Sequence, residues 1–106
     1  MTDKVIALLG FAAKSGSLCF GVKDSVSALK SSKAKGVFFA ADISAKSRKE
    51  IMFYCNKFGV RALELKFSSE ELSRAVGRKC AALAVTNDSF YNPIVTHLSG
   101  RELDDE

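Results

Sequence analysis

GSLCFGVKDSVSALKSSKAK, residues 16–35, reads as a short strand, a glycine turn, a helix and a basic exit toward a second strand. Leu18, Cys19 and Phe20 form an apolar run too short for a helix, held between Gly16-Ser17 and Gly21. Gly21 has no Cβ, so the backbone there can come close to a partner. From Val22 onward Val26, Leu29 and Lys30 recur at helical steps, with Ala28 beside them. The first turn of this helix therefore opens at a strand end. Its unpaired N–H groups point outward there, with Lys23 beside them, which suits a phosphate. An ordinary strand–turn–helix corner with a solvated lysine would look the same in composition.

Outward from this stretch, strands and helices alternate. Residues 3–14 place Val5, Ile6, Leu8, Leu9 and Ala12 on one face, with Thr2 or Asp3 as the cap and Lys14-Ser15-Gly16 as the stop. Gly36–Ala41 is continuously apolar, the pattern of a strand covered on both faces. Asp42-Ile43-Ser44 turns the chain, and Ser44 caps a helix over Ala45–Phe58 that turns Ile51, Met52, Tyr54, Cys55 and Phe58 inward and closes at Gly59. Arg61–Leu65 alternates, as an outer strand does. Ser68-Ser69-Glu70-Glu71 has the form of a capping box, opening a short helix that ends at Gly77. Cys80–Val85 is a second fully apolar strand. Thr86–Ser89 is its exit loop, and a last helix runs to about Leu98, with Pro93 starting or kinking it. The final residues look frayed. Alternation of this kind specifies an α/β layer fold, one domain with helices on both faces of one sheet.

Apolar residues make up 47% of the chain, enough for a core, and 16 Lys and Arg against 12 Asp and Glu give a charge of +4. The charge is unevenly placed. Lys4, Lys14, Lys23, Lys30, Lys33 and Lys35 face only Asp3 and Asp24 in the first third, while Glu102, Asp104, Asp105 and Glu106 gather at the end. A basic side of this kind most often meets nucleic acid, although scattered lysines for solubility give a similar total. Cys19, Cys55 and Cys80 have neither metal-ligand nor disulfide spacing, and read as small buried hydrophobes in a reducing compartment. The opening Met1-Thr2-Asp3-Lys4 leads straight into a helix without a signal peptide. No apolar run is long enough to span a bilayer, so a cytoplasmic protein with no membrane partner is expected.

Little here suggests catalysis. His97 is the single histidine and has no Cys or Ser at a suggestive spacing, Asp42 reads as a turn cap rather than a carboxylate partner of Asp24, and no Gly-rich nucleotide loop is present. The expectation is a binding protein with no cofactor, no metal and no small-molecule substrate.

Four segments then agree with one family. LLGFAAKSGSLCFG at 8–21, KAKGVFFAADIS at 33–44, CNKFGV at 55–60 and LAVTNDSF at 83–90 resemble the bacterial YlxQ-type proteins of the ribosomal kink-turn-binding superfamily. The resemblance runs in order from the first helix to about residue 98. It implies a three-layer α/β/α sandwich around a mixed four-stranded sheet. It also implies binding of structured, ribosomal-type RNA at a kinked internal loop with tandem sheared G·A pairs. The family's Gly-x-Asn-Glu-x-x-Lys pattern falls on Gly21, Val22, Lys23, Asp24, Ser25, Val26 and Ser27. The glycine stands and the acid is kept in kind. Asn has become Lys23, which offers donors only, and the motif's lysine has become Ser27. Charge from Lys23 and Lys30 supports affinity more readily than selectivity. The resemblance also implies a second contact in the loop after the last strand, where Val85 and Thr86 would hold a flipped nucleotide, unless Val85 is merely the last core residue of its strand. Lys35 belongs to the family pattern, and Lys14 and Lys33 add charge nearby. Superfamily members that dimerise or bind proteins supply the alternative of an interaction module or weak homodimer. An exposed apolar patch at Phe53, Phe67 or Phe90 would mark it.

Overall fold

The computed structural model describes the backbone from Thr2 to Asp104 and the side chains of residues 4–98. The helices are α1 (Thr2–Lys14), α2 (Gly21–Lys30), α3 (Ala45–Phe58), α4 (Ser69–Val76) and α5 (Asp88–Asp104), and the strands are β1 (Leu18–Phe20), β2 (Gly36–Phe39), β3 (Ala62–Glu64) and β4 (Ala82–Val85). The expected capping by Thr2 or Asp3 and the acidic side chains of Glu102, Asp104, Asp105 and Glu106 lie outside the described residues.

The four strands form one mixed sheet in the order β1-β4-β2-β3. β4 lies antiparallel to both its neighbours, with Leu18 and Gly36 on either side of Val85, whereas β3 runs parallel to β2. Alternation along the strands divides the core in two. Leu18, Phe38, Leu83 and Val85 face α1, α4 and α5 together with Val5, Leu9, Leu72 and Ile94. Val37, Phe39, Ala82 and Ala84 face α2 and α3 with Ala28, Leu29, Ile51 and Cys55. Odd and even positions of one strand thus serve opposite layers, as a period of two requires. The result is the α/β/α sandwich expected from the alternating pattern.

Local signals account for the helix ends. Ser44 accepts a hydrogen bond from the Ser47 N–H, and Gly59 ends α3 in the left-handed region at φ 70°. Ser68 and Glu71 satisfy each other's backbone donors in a complete capping box. Asp42 adds a nonlocal clamp there, accepting from the Ser69 N–H at 2.7 Å and from its hydroxyl at 3.1 Å.

Two expectations change. Phe58 is 39% exposed rather than inward, because it is the last residue of α3 and reaches past the sheet. Pro93 does not start the last helix but lies inside α5, the position of the kink reading, and α5 continues to Asp104 rather than to about Leu98. The carbonyl left without its helical donor belongs to Ser89, an exposed residue in the first turn of α5. Gly36 proves indispensable for a reason that periodicity does not show: a Cβ there would collide with the Tyr91 ring, which packs across the strand start.

Ser25 is fully buried on the inner face of α2, and its hydroxyl has no hydrogen-bond partner. Ser25→Ala removes that unsatisfied group and improves helix propensity, so we expect it to be neutral or to stabilise by about 0.5–1 kcal/mol. A urea denaturation midpoint that fell markedly would show that the hydroxyl is satisfied in solution.

Cys55 and Cys80 are buried and Cys19 is half-buried. Desolvation pushes all three thiols up, that of Cys55 to about 11 from an ordinary 9.0. Each therefore stays protonated near neutrality, and a disulfide-exchange reagent at mildly alkaline pH should modify Cys19 first and the other two only on unfolding. The sign for stability follows. The unfolded chain releases the Cys55 proton near 9.0 and the folded chain only near 11, so this contribution is intact below about 9 and is lost as pH rises toward 11. Cys55→Ala should flatten that alkaline decline.

Candidate nucleic-acid interface

The corner between β1 and α2 is built differently from the starts of α3 and α4. Phe20, at the N-cap of α2, offers no side-chain hydrogen bond, whereas α3 and α4 are each capped by a serine. The first N–H groups of α2 are thus left to an outside acceptor. Gly21 has φ 87°, in the left-handed region that favours glycine, and a Cβ built on it would meet nothing within 4 Å. Its backbone is thus bare toward solvent. Lys23, Asp24 and Ser27 are exposed and Val22 is half-buried. Lys23, Ser27 and Lys30 line one shallow cleft with Ser47, Glu50 and Tyr54 of α3. The Lys30 ammonium lies 5.1 Å from the Tyr54 ring centroid.

Sheet pairing decides which other residues share this corner. Phe20 pairs with Leu83 near the start of β4, so the chain entering β4, Gly77–Ala81, lies beside Gly21. Arg78 in that loop stacks its guanidinium 4.8 Å over the Phe20 ring. Lys14, from the last turn of α1, lines a groove with Phe20, Arg74 and Arg78. Aromatic faces and mobile cations occur together here without a carboxylate in the groove lining, a surface suited to nucleic acid.

The same pairing separates residues that the sequence reading had grouped with Gly21. Val85 lies opposite Leu18 and Gly36, three strand positions from Gly21, or about 10 Å along the sheet. Its side chain is fully buried in the core, so it has no surface to give a nucleotide, and the core reading of Val85 holds. Thr86 is half-buried and tied to Ser17, whose carbonyl accepts from both its N–H at 2.9 Å and its hydroxyl at 3.1 Å. Lys35 stands at that same far end, donating its N–H to the Val85 carbonyl at 2.7 Å, and exposed Lys33 precedes it. Lys33, Lys35 and Thr86 therefore form a second, smaller basic edge. Arg78 was missed. Its signal was present as a cation directly after a helix-ending glycine, but only the pairing of β4 with β1 brings it to the corner, while the adjacent Lys79 lines a separate hollow with Ser69 and Glu70.

The fold and its basic corner define a small α/β/α binding domain with a mixed sheet. Residues 3–94 match the Ribosomal protein L7Ae/L30e/S12e/Gadd45 family, and the chain belongs to that family. It is 28% identical over 88 residues to the RNA-binding protein YlxQ of Enterococcus faecium, covering 83% of this chain and 84% of the relative. It is 34% identical over 84 residues to the large ribosomal subunit protein eL30 of Yarrowia lipolytica, covering 79% and 77% respectively. Among solved structures, a Bacillus halodurans protein of unknown function superposes with a TM-score of 0.83 at 21% identity, over 88% of this chain and 94% of that one. The Giardia lamblia 15.5kD RNA binding protein superposes with a TM-score of 0.72 at 20% identity, over 94% and 85%. These two structural likenesses bear on the fold. No helix among the described residues is long and apolar enough to cross a membrane.

Proposed function

We propose that this protein binds structured RNA of the kink-turn type, with ribosomal RNA as the favoured class, and has no catalytic role. The observation that carries the reading is the uncapped, open start of α2 at Gly21, flanked by Lys23 on one side and by Arg78, stacked on Phe20, on the other. Bare N–H groups at a helix start donate to phosphate or base oxygens, and the surrounding cations supply salt-dependent affinity. Family membership and the name of the Enterococcus faecium RNA-binding relative support the same reading. Lys23 in place of the family's asparagine shifts the balance toward backbone and phosphate contacts and away from base reading.

The decisive experiment compares a kink-turn RNA with a matched duplex lacking the G·A pairs across a salt series. Tighter binding of the kinked RNA is expected, and equal binding of both would reduce the protein to a general RNA binder. Lys23→Ala should weaken binding of either RNA and lower the salt slope by about 1, the loss of one phosphate contact. Unchanged affinity and slope would remove Lys23 from the interface.

A protein-interaction reading has one observation behind it. Phe53 is 59% exposed and, with Phe58, leaves an aromatic row on α3, while Phe67 is buried and Phe90 packs partly on the core. Much of that row is already occupied. Tyr54 meets Phe53 edge-on at 5.1 Å and Lys30 covers the Tyr54 ring, while Lys57 covers Phe58 at 5.9 Å. Rings so engaged offer less apolar surface to a partner, which favours RNA as the function.

A further inference from the structure

The groove between α1 and α4 opens beside the corner, sharing Phe20 and Arg78 with it and extending away from Gly21 along α1. Gly10, Phe11 and Lys14 line it along α1, Phe20 on the sheet, and Arg74 and Arg78 at the end of α4, enclosing about 660 Å³. Gly10 lets the two helices draw together, since a Cβ there would stand 3.2 Å from the Ala75 carbonyl oxygen. Phe11 is 59% exposed at its mouth, and Phe20 carries the Arg78 guanidinium on its face. Arg74 is paired with Glu70 at 3.5 Å, so Lys14 and Arg78 carry the positive charge that faces the groove.

From this arrangement we infer that the groove holds an unpaired RNA segment flanking the structured element, with one base stacked on Phe11, a second on the outer face of the Arg78 guanidinium that covers Phe20, and phosphate on Lys14. The inference rests on the RNA reading of the corner, because Phe20 leads directly into Gly21. A strand leaving the duplex at that turn meets the groove next. Charge complementarity selects the occupant. An apolar helix would satisfy the rings and leave the cations unmet, whereas a nucleotide presents a flat π-face and a negative phosphate together. Stacking of this kind is sequence-tolerant, so the groove prefers unpaired to paired RNA rather than one sequence to another.

The test uses a kink-turn RNA with and without a short single-stranded overhang carrying 2-aminopurine. The overhang is expected to raise affinity roughly tenfold, with quenching of the 2-aminopurine fluorescence as the base stacks. Phe11→Ala should abolish both the gain and the quenching while leaving affinity for the RNA without overhang unchanged. Because Phe11 is exposed, the variant should keep its melting temperature. Lys14→Ala should lower the salt dependence of the overhang's contribution more than that of the RNA without overhang. An overhang that adds nothing, or a Phe11→Ala loss that is equal with and without it, overturns the inference. If kink-turn RNA does not bind at all, a short unstructured RNA decides: uptake lost in Phe11→Ala upholds the groove, and no uptake overturns it. Self-association that Phe11→Ala removes, with no overhang effect, would give the groove to a second copy of the chain and overturn it likewise.

Discussion

Gly21→Val is expected to weaken binding of kink-turn RNA by roughly thirtyfold or more. The estimate takes two backbone hydrogen bonds at the α2 start as blocked, at about 1 kcal/mol each. The side chain would stand in the open space that now faces solvent, where a Cβ meets nothing of the protein within 4 Å. Packing inside the protein therefore does not exclude it. Strain is the separate cost. A β-branched residue at φ 87° loses about 1–3 kcal/mol of stability. Gly21→Ala distinguishes the two effects, since it bears similar backbone strain with less bulk toward the RNA. Binding reduced far more by valine than by alanine, at comparable melting temperatures, would show that close approach is what glycine provides. Equal and small losses in both would mean that RNA does not touch this turn.

Phe38→Ala should cost about 3–5 kcal/mol, a large share of the stability of a domain this size. Phe38 is fully buried on β2 and faces the α1, α4 and α5 layer, with its ring centroid 6.0 Å from that of Tyr91 at an angle of 44°. Truncation leaves a cavity bordered by a sheet and three helices, elements whose hydrogen bonding prevents collapse around it. Phe53→Ala, on an exposed face of α3, is the contrasting control and should change stability by no more than about 0.5 kcal/mol. Equilibrium urea denaturation measures both. A Phe38→Ala loss below that of the control would contradict the division of the core into two layers.

Much of the secondary structure was legible because its causes are local. The limits of α3 are those its Ser44 cap and Gly59 stop announce, and the Ser68–Glu71 capping box is complete in three dimensions. Both signals act within a few residues. The continuous apolar runs at 36–41 and 80–85 mark the two central strands, since only strands covered on both faces lack polar positions. The strands themselves are shorter, Gly36–Phe39 and Ala82–Val85. Ladder pairing, which a residue's own type does not encode, sets those ends.

The candidate site was half legible for the same reason. The Gly21 turn, Lys23 and the α2 start are contiguous in sequence, and the chain alone determined them. Which distant residues join them was decided by β4 entering between β1 and β2, antiparallel to both. That insertion brings Arg78 to Phe20 beside Gly21 and carries Lys33, Lys35 and Thr86 to the opposite end. Strand order depends on burying two apolar faces at once, a property of the whole packed sheet that no short window contains. From the sequence alone came the layers, the Gly21 turn and its charge; from the tertiary structure came the company that turn keeps, because contacts between residues some 60 positions apart exist only after the sheet has closed.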